Sequence, residues 1–384
     1  MDQVVSKEEV VLPDTLVAAL VTGAAEAGDH IVADAAELFE QRAGLRKRLL
    51  NEQRIFTLNP GARPPDTVYA IDGAHVVSLE RSMAYSASCA VCVGPTPQDN
   101  SYGTCLAVLP HSEALDTYSS ALMIMQEIML TVSCLELNPD ALCLIDGSRM
   151  SAFIRVNQFY AKSGETADLE AWRKNPSVQP GKTIAEFDSR DWLEPYLKSD
   201  RIVGNLKLVS TNDLVRDLAP QWIGRYDDKT LAALVLGARE QLLPFPVKSE
   251  PLHMSKNYRT HEKTQEIARG LTTKCGNSLM NLFQIYFCTD EAHGVFKAEV
   301  NRLFLGQKGV RLAALYRWWL DGTEPVDLEE PYLLYVADRF AKEGVSVSSS
   351  ALDDIVRRMV AEGPVSADVL GQAWNMTSTY RTQL

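Results

Sequence analysis

From residue 14 to residue 53, apolar side chains recur at helical spacing: Leu16, Leu20, Ala24 and Ala25, then Ile31, Leu38, Phe39, Leu45 and Leu50. The segment closes on Arg46, Lys47 and Arg48, cations that suit the negative end of a helix dipole. NPGARPPD at 59–66 breaks the period as a turn-rich linker. Beyond it the character changes. TVYAIDGAHVVSLERSMAYSASCAVCVGP (67–95) is rich in β-branched and aromatic residues, and YGTCLAVLP (102–110) continues in kind. Three or four neighbouring, largely antiparallel strands are predicted there, with Asp-Gly at 72–73 as a turn signal. Residues 112–137 read as one long helix, with Ser112 as N-cap and Asn138-Pro139 as stop. ALCLIDGS (141–148) is short and almost wholly apolar until its last residues, as suits a strand buried on both faces.

The second half is less regular. A Pro- and Gly-containing stretch (174–182) precedes a predicted helix near 184–198, a strand at 201–209, a helix from Asp213 and a helix over 228–241. Residues 243–277 carry little periodicity and many polar side chains, which predicts a long loop or insertion. Strands follow at 280–288 and 294–303, then helices near 307–320 and 329–343 and a helical tail from 350 to about 372. Strands alternating with helices describe an α/β layer rather than a barrel or a bundle.

Composition narrows the class. With 46% hydrophobic and 23% charged residues, the chain can bury a sizeable core. No apolar run reaches the roughly 18–20 residues that cross a bilayer, and the first residues lack a basic start and apolar stretch, so a cytoplasmic protein without a membrane is expected. Seven cysteines, an odd number lying mostly in apolar segments, read as reduced core thiols. The net charge of −12 speaks against a protein that coats nucleic acid by itself. A local basic patch or a partner would have to supply that grip.

The leading chemical feature is a repeated form. AIDGAH (70–75) and LIDGSR (144–149) each set Asp-Gly directly after an apolar strand. An aspartate there projects from a rigid sheet edge, and the glycine permits a tight backbone path and close approach of a ligand. Two carboxylates so placed can share hard divalent cations, which prefer oxygen ligands. The bland alternative is that both are ordinary turns whose aspartates bond backbone amides. No Walker GxxxxGK[ST], GxSxG or HExxH is present, which removes ATP hydrolysis, serine-hydrolase and zinc-protease readings.

Taken in order, the motifs resemble the NurA family of DNA-end-processing nucleases. That pattern runs from an Asp-Gly strand through a helical Glu, a second Asp-Gly-Ser strand, a strand-borne Lys and a Glu-bearing strand to a Tyr-Pro-Tyr-x-Leu-x-x-Ala-His helix start. Here the pieces are Asp72, Glu127 of IMQEIML, Asp146, Lys207 of VGNLKLV, Glu299 of VFKAEV and EPYLLYVADRF at 330–340. The last departs from the family: Asp338 stands where it has histidine, and Glu330 where it has the first tyrosine. The resemblance implies a ribonuclease-H-like mixed sheet flanked by helices over residues 66–345, with a helical extension at 1–65 and a helical tail at 346–384. It further implies hydrolysis of DNA ends or single strands at a two-metal Mn²⁺ or Mg²⁺ site. Asp72, Glu127, Asp146 and Asp338 would be the ligands and Lys207 a catalytic cation. A HerA-like hexameric ATPase and a second copy of the chain are the implied partners. A degraded site on a non-catalytic partner of a DNA motor is the alternative, and another ribonuclease-H-like enzyme a third.

Each candidate also has a plainer reading. On a helical wheel Glu127 lies opposite the stripe formed by Tyr118, Leu122, Met125, Met129 and Val132, as an exposed glutamate would, and Glu136 is its substitute. Asp338 can pair with Arg339 or Lys342 on a solvated face. Lys207 can sit on an exposed strand edge. Cys89-x-x-Cys92 has no second ligand pair, and on a strand its thiols point to opposite faces. His75 can be a surface residue near Asp72, while His253, His261 and His293 fit no ligand spacing. Tyr316, Trp318 and Trp319 can stack on bases, or fill the core beside Leu312 and Leu315.

Overall fold

The computed structural model describes residues 14–58, 63, 65–79, 84–109, 115–162, 179–207, 212–247, 262–289, 294–306, 310–322 and 330–362. The chain divides into two compact units at 55/56. Helix α1 (Asp14–Asn51) makes up the described part of the first.

The second unit is built on a mixed sheet of ten strands. A meander of β2 (Val68–Leu79), β3 (Ala84–Val93) and β4 (Ser101–Leu109) is antiparallel throughout. Helix α2 (Leu115–Leu137) then leads to β5 (Leu142–Asp146), which pairs parallel to β2. β6 (Ile202–Asn205) pairs parallel to β5, and the antiparallel pair β9 (Leu282–Cys288) and β10 (Val295–Asn301) joins beyond it. With β1 (Ile55–Thr57) and β7 (Glu240–Leu242) the order is β1-β7-β9-β10-β6-β5-β2-β3-β4, and β8 (Phe245–Pro246) also pairs with β9.

Strand alternation sends side chains into two cores. Tyr69, Ile71, Cys143 and Ile145 enter one, with α2, α3 (Arg149–Lys162), α4 (Gln179–Ser189), α5 (Leu193–Lys198) and α8 (Glu262–Leu279). Val68, Ala70, Leu142, Leu144 and Val203 enter the other, with α9 (Arg302–Leu305), α10 (Val310–Gly322) and α11 (Tyr332–Glu362). Helices α6 (Asp213–Leu218) and α7 (Asp228–Val235) complete the unit. All seven cysteines are buried, and Cys89 and Cys92 fall in opposite cores as their spacing requires.

Several elements differ from the sequence reading. Residues 262–279 are helix α8, not loop. The helix is polar except for a stripe through Leu271, Cys275 and Leu279, too narrow to register among polar neighbours. The remainder of that stretch, 248–261, lies outside the described residues. Helix α3, which no periodicity reading anticipated, starts at once after Asp-Gly-Ser. The segment near 184–198 is two helices, α4 and α5, divided at residues 190–192. The helix from Asp228 ends at Val235, and β7 follows. One continuous helix, α11, replaces the two expected at 329–343 and from 350. Against the expectation of no spanning run, α2 is long and apolar enough to cross a membrane, but most of it is buried. It packs on β2 and β3 as the central helix of one core. Ser112 lies outside the described residues.

Tyr316 and Trp319 take the core reading, at 1% and 0% exposure, and Trp319 packs edge-on against Phe287 and Phe296 with both centroid distances 5.3 Å. Trp318 packs, partly buried, on the same cluster. Trp319→Ala should therefore cost about 3–5 kcal/mol of stability, measured as a lower denaturation midpoint in urea at unchanged slope.

Candidate active site

Two neighbouring strands present the two aspartates side by side. β2 and β5 pair in parallel up to Ile71↔Ile145, so Asp72 and Asp146 stand one step further on adjacent strands and on one face. Here β5 ends, whereas β2 runs on to Leu79 beside β3. Asp72 is thus not at a turn: it sits mid-strand, where the sheet loses its neighbour on one side. Gly147 turns the chain away with φ +106°, a conformation an L side chain adopts at a cost. Asn205 of β6 is the register partner of Asp146, which sets a third polar side chain in the row. Its amide nitrogen is buried with no hydrogen-bond partner. Sequence reasoning passed over this asparagine because it lies inside an apolar strand with nothing to mark it.

Glu127 arrives from the other side of the sheet. It belongs to α2, on the opposite face, yet it is buried at 6% exposure. Gly73 explains how. A Cβ there would stand 2.3 Å from Glu127 Oε1 and 2.6 Å from Met123 Cγ, so the glutamate occupies the space a side chain would take. The helical wheel was right that Glu127 leaves the main apolar stripe. It faces a gap in the sheet rather than solvent.

A third wall comes from the chain around α11. Lys207, two residues past β6, places its ammonium 2.7 Å from Asp146 Oδ2 and 2.7 Å from Glu330 Oε2. Glu330, buried, immediately precedes Pro331, whose carbonyl accepts from the Leu334 and Tyr335 amides to open the helix. Asp338 follows on the same helix and pairs with Lys342 at 2.8 Å, as its plainer reading expects. It also lies close enough to raise the proton affinities of Asp72 and Glu330.

Five carboxylates thus lie in one cluster, and two of them, Asp146 and Glu330, share the half-buried Lys207 ammonium. Burial pushes the Asp72 carboxyl up to about 8, with the charge of Asp146 adding to the shift and Lys207 and the Gly73 amide opposing it. Burial likewise raises Glu127 well above the ordinary carboxylate range, reinforced by Asp72 and Asp146. Glu330 is raised by burial against the pull of Lys207. Lys207 itself is raised: burial opposes its charge, but the bonds to Asp146 and Glu330 overcome that.

Such a cluster fits a divalent cation on one specific count: Asp72 Oδ2 is buried with no hydrogen-bond partner, while Oδ1 accepts from the Gly73 amide at 2.7 Å. An all-oxygen donor set suits Mg²⁺ or Mn²⁺. Among the described residues no three acidic, histidine or cysteine side chains already stand in a finished metal cage, so binding would require side-chain rotation.

No family model matches the chain, and no curated protein does. Solved structures do. The NurA nuclease from Sulfolobus solfataricus superposes with a TM-score of 0.52 at 15% identity, over 89% of this chain and 98% of that one. A NurA structure bound to dAMP and manganese gives 0.51 at 10% identity over 82% and 92%, and one with manganese gives 0.51 at 12% over 87% and 98%. The chain has a NurA-like fold.

Of the pieces on which the NurA resemblance was drawn, the structure brings Asp72, Glu127, Asp146, Lys207, Glu330 and Asp338 together. Glu299 goes elsewhere. It points to the other face of the sheet, accepting from Ser148 Oγ at 2.7 Å and the Arg149 amide at 2.8 Å, and so caps the N-terminus of α3. Glu136 is exposed and bound to Arg190, so it is no substitute for Glu127. His75 bonds Asp116 at 3.1 Å on the side of β2 away from Asp72. His253, His261 and His293 lie outside the described residues. A cavity of about 370 Å³ between β4, α2 and α4 is lined by Tyr102, Gln126, Lys182 and Glu186, and none of the converging carboxylates reaches it.

Two outcomes follow. Gly73→Ala should cost about 1–3 kcal/mol by overpacking, and Glu127→Ala in the same chain should restore part of that loss; thermal denaturation measures both. Because the folded protein holds the Asp72 proton up to about pH 8, the stability this group contributes is full below about pH 4 and is lost as pH rises through 8. In EDTA, Asp72→Asn should therefore gain in Tm relative to wild type as pH rises from 4 to 9. A constant Tm difference across that range would refute the assignment.

Proposed function

We propose that the chain is a metal-dependent deoxyribonuclease that hydrolyses phosphodiesters of DNA ends or single strands. The observation that carries this reading is the convergence of Asp72, Glu127 and Asp146 from both faces of the sheet at the end of the β2/β5 pairing, with one Asp72 oxygen buried without a partner. The fold of NurA nucleases, one of them solved with dAMP and manganese, supports it. The meander, crossing helix and parallel strands β5 and β6 support a ribonuclease-H-like core over 66–345.

In this reading Asp72, Glu127, Asp146 and Asp338 hold the metal pair, and Asp338 supplies an oxygen where the family carries imidazole. Bound there, Mn²⁺ or Mg²⁺ supplies an activated water and charge stabilisation on the leaving oxygen. The chain's own part is to fix the carboxylates on rigid strands and a buried helix. Lys207 holds a positive charge at the edge of the cleft, where a scissile phosphate is bound and its developing charge offset. Asn205 offers an unused N–H₂ on the same face. The acidic total of −12 is reconciled by partners: a HerA-like hexameric ATPase that delivers DNA, and a second copy of the chain. Helix α1, with Val21 and Phe39 exposed, and the C-terminal segment 346–384 are the parts of the chain we assign to those contacts.

One observation favours a second reading, a non-catalytic partner of a DNA motor. The Lys342 pairing of Asp338 and the Lys207 pairing of Asp146 neutralise two of the four ligands. Cleavage of linear DNA with Mn²⁺ decides between them. Wild type should cut, and Asp146→Ala should lose about 100-fold or more of the rate. Mn²⁺ at about 100 times its dissociation constant should stabilise wild type by about 2.7 kcal/mol and leave Asp146→Ala little changed. Absence of metal-dependent cutting by wild type, alone and with its ATPase, would sink the enzyme reading.

A further inference from the structure

Glu330 stands where the resembled pattern carries a tyrosine, and its Oε2 lies as near the Lys207 ammonium as Asp146 Oδ2 does. The two carboxylates flank one ammonium at 2.7 Å each, so the lysine is shared rather than owned by Asp146. Glu330 is buried, and its backbone is fixed by the start of α11 beside Pro331. At that position its charge also meets the positive end of the helix dipole.

We propose that Glu330 is the second seat of the Lys207 ammonium: a positioning residue that keeps the lysine beside the site while releasing Asp146 to a divalent cation. This rests on the metal-dependent reading above. The physics is a competition. An ammonium in contact with Asp146 occupies an oxygen the metal needs and repels the metal's charge. With Asp146 as its sole partner, the lysine would either block the ligand or be expelled, leaving a half-buried cation unpaired at a cost. Glu330 removes that conflict, because the ammonium keeps an ion-pair partner at 2.7 Å through the exchange. A tyrosine at the position offers no charge and cannot do this.

A double-mutant cycle on Mn²⁺ affinity tests it, with no DNA present. The dissociation constant is read from the free-ion electron paramagnetic resonance signal for the full-length wild type, Glu330→Gln, Lys207→Met and the double variant. Glu330→Gln should weaken Mn²⁺ binding about threefold to tenfold, since the lysine then competes for Asp146 undivided. Lys207→Met should tighten it. In the Lys207→Met chain, adding Glu330→Gln should change affinity by less than about twofold, since the glutamate has nothing left to hold. Equal weakening with and without Lys207 would mean that Glu330 acts by its own charge or as a ligand, and would overturn the proposal. So would unchanged affinity in the single variant. Failure of wild type to bind Mn²⁺ at all overturns the metal-dependent reading together with this one, and is distinguishable from either result. Should Glu330→Gln not fold, Glu330→Asp poses the same test, with the same loss expected only when Lys207 is present.

Discussion

The site depends on a charge imbalance built into the end of one strand pairing. Where β5 stops beside β2, the sheet leaves a notch, and into it come carboxylates from β2, β5, α2 and the start of α11 with Lys207 as the embedded cation. Like charges at close range in a partly dry environment repel strongly unless protons or cations intervene. The protein answers in three ways at once: Asp72 and Glu127 hold protons above the ordinary range, Lys207 is shared between two carboxylates, and Lys342 screens Asp338. On the metal-dependent reading, each leaves the cluster ready to take a stronger cation.

That imbalance is tolerated because the surrounding fold is rigid. The strands bearing Asp72, Asp146 and Asn205 are buried on both faces, and Leu144, Ile145 and Val203 beneath the site are each at most 3% exposed. Glu127 could not take its place around a side chain on β2, so Gly73 is a steric requirement for its approach to Asp72. The Asp-Gly pair is thus one device with two functions, in which the aspartate supplies an oxygen and the glycine admits another from across the sheet. The second Asp-Gly differs. Gly147 serves backbone direction, turning the chain from β5 to α3, where Glu299 caps the new helix. Two motifs alike in sequence solve two separate problems.

This division explains what was legible beforehand. The long helix α2, the buried strand β5 and the meander stand out in sequence because their apolar periods are unbroken, and they carry Glu127, Asp146 and Asp72. Helix α8 hides because its buried stripe is narrow among polar residues, and α3 because it starts directly after the Asp-Gly-Ser strand end, where Ser148 caps it, with no linker to set it apart. Asn205 and the capping role of Glu299 are invisible for another reason. Both follow from strand register and from which face a residue occupies, and register is set by pairing between segments far apart in the chain. Composition and periodicity record local preference, and a site assembled across a sheet is a non-local object.

The departures at 330 and 338 belong together on the same grounds. The Asp338 carboxylate, at the place where the resembled pattern has histidine, is a further negative charge in a cluster short of cations, and it deepens the repulsion felt by Asp72. Placing Glu330 beside Lys207 adds a second charge but fixes the one cation in the middle, and Lys342 lies one helical turn from Asp338 to screen it. The result is a carboxylate cluster whose charge is offset by two lysines, Lys207 and Lys342. On the metal-dependent reading proposed above, these ammonium groups set how readily a divalent ion enters, because Asp146 and Asp338 must each exchange one positive partner for another. Metal affinity would then depend as much on where the lysines can go as on where the oxygens already are.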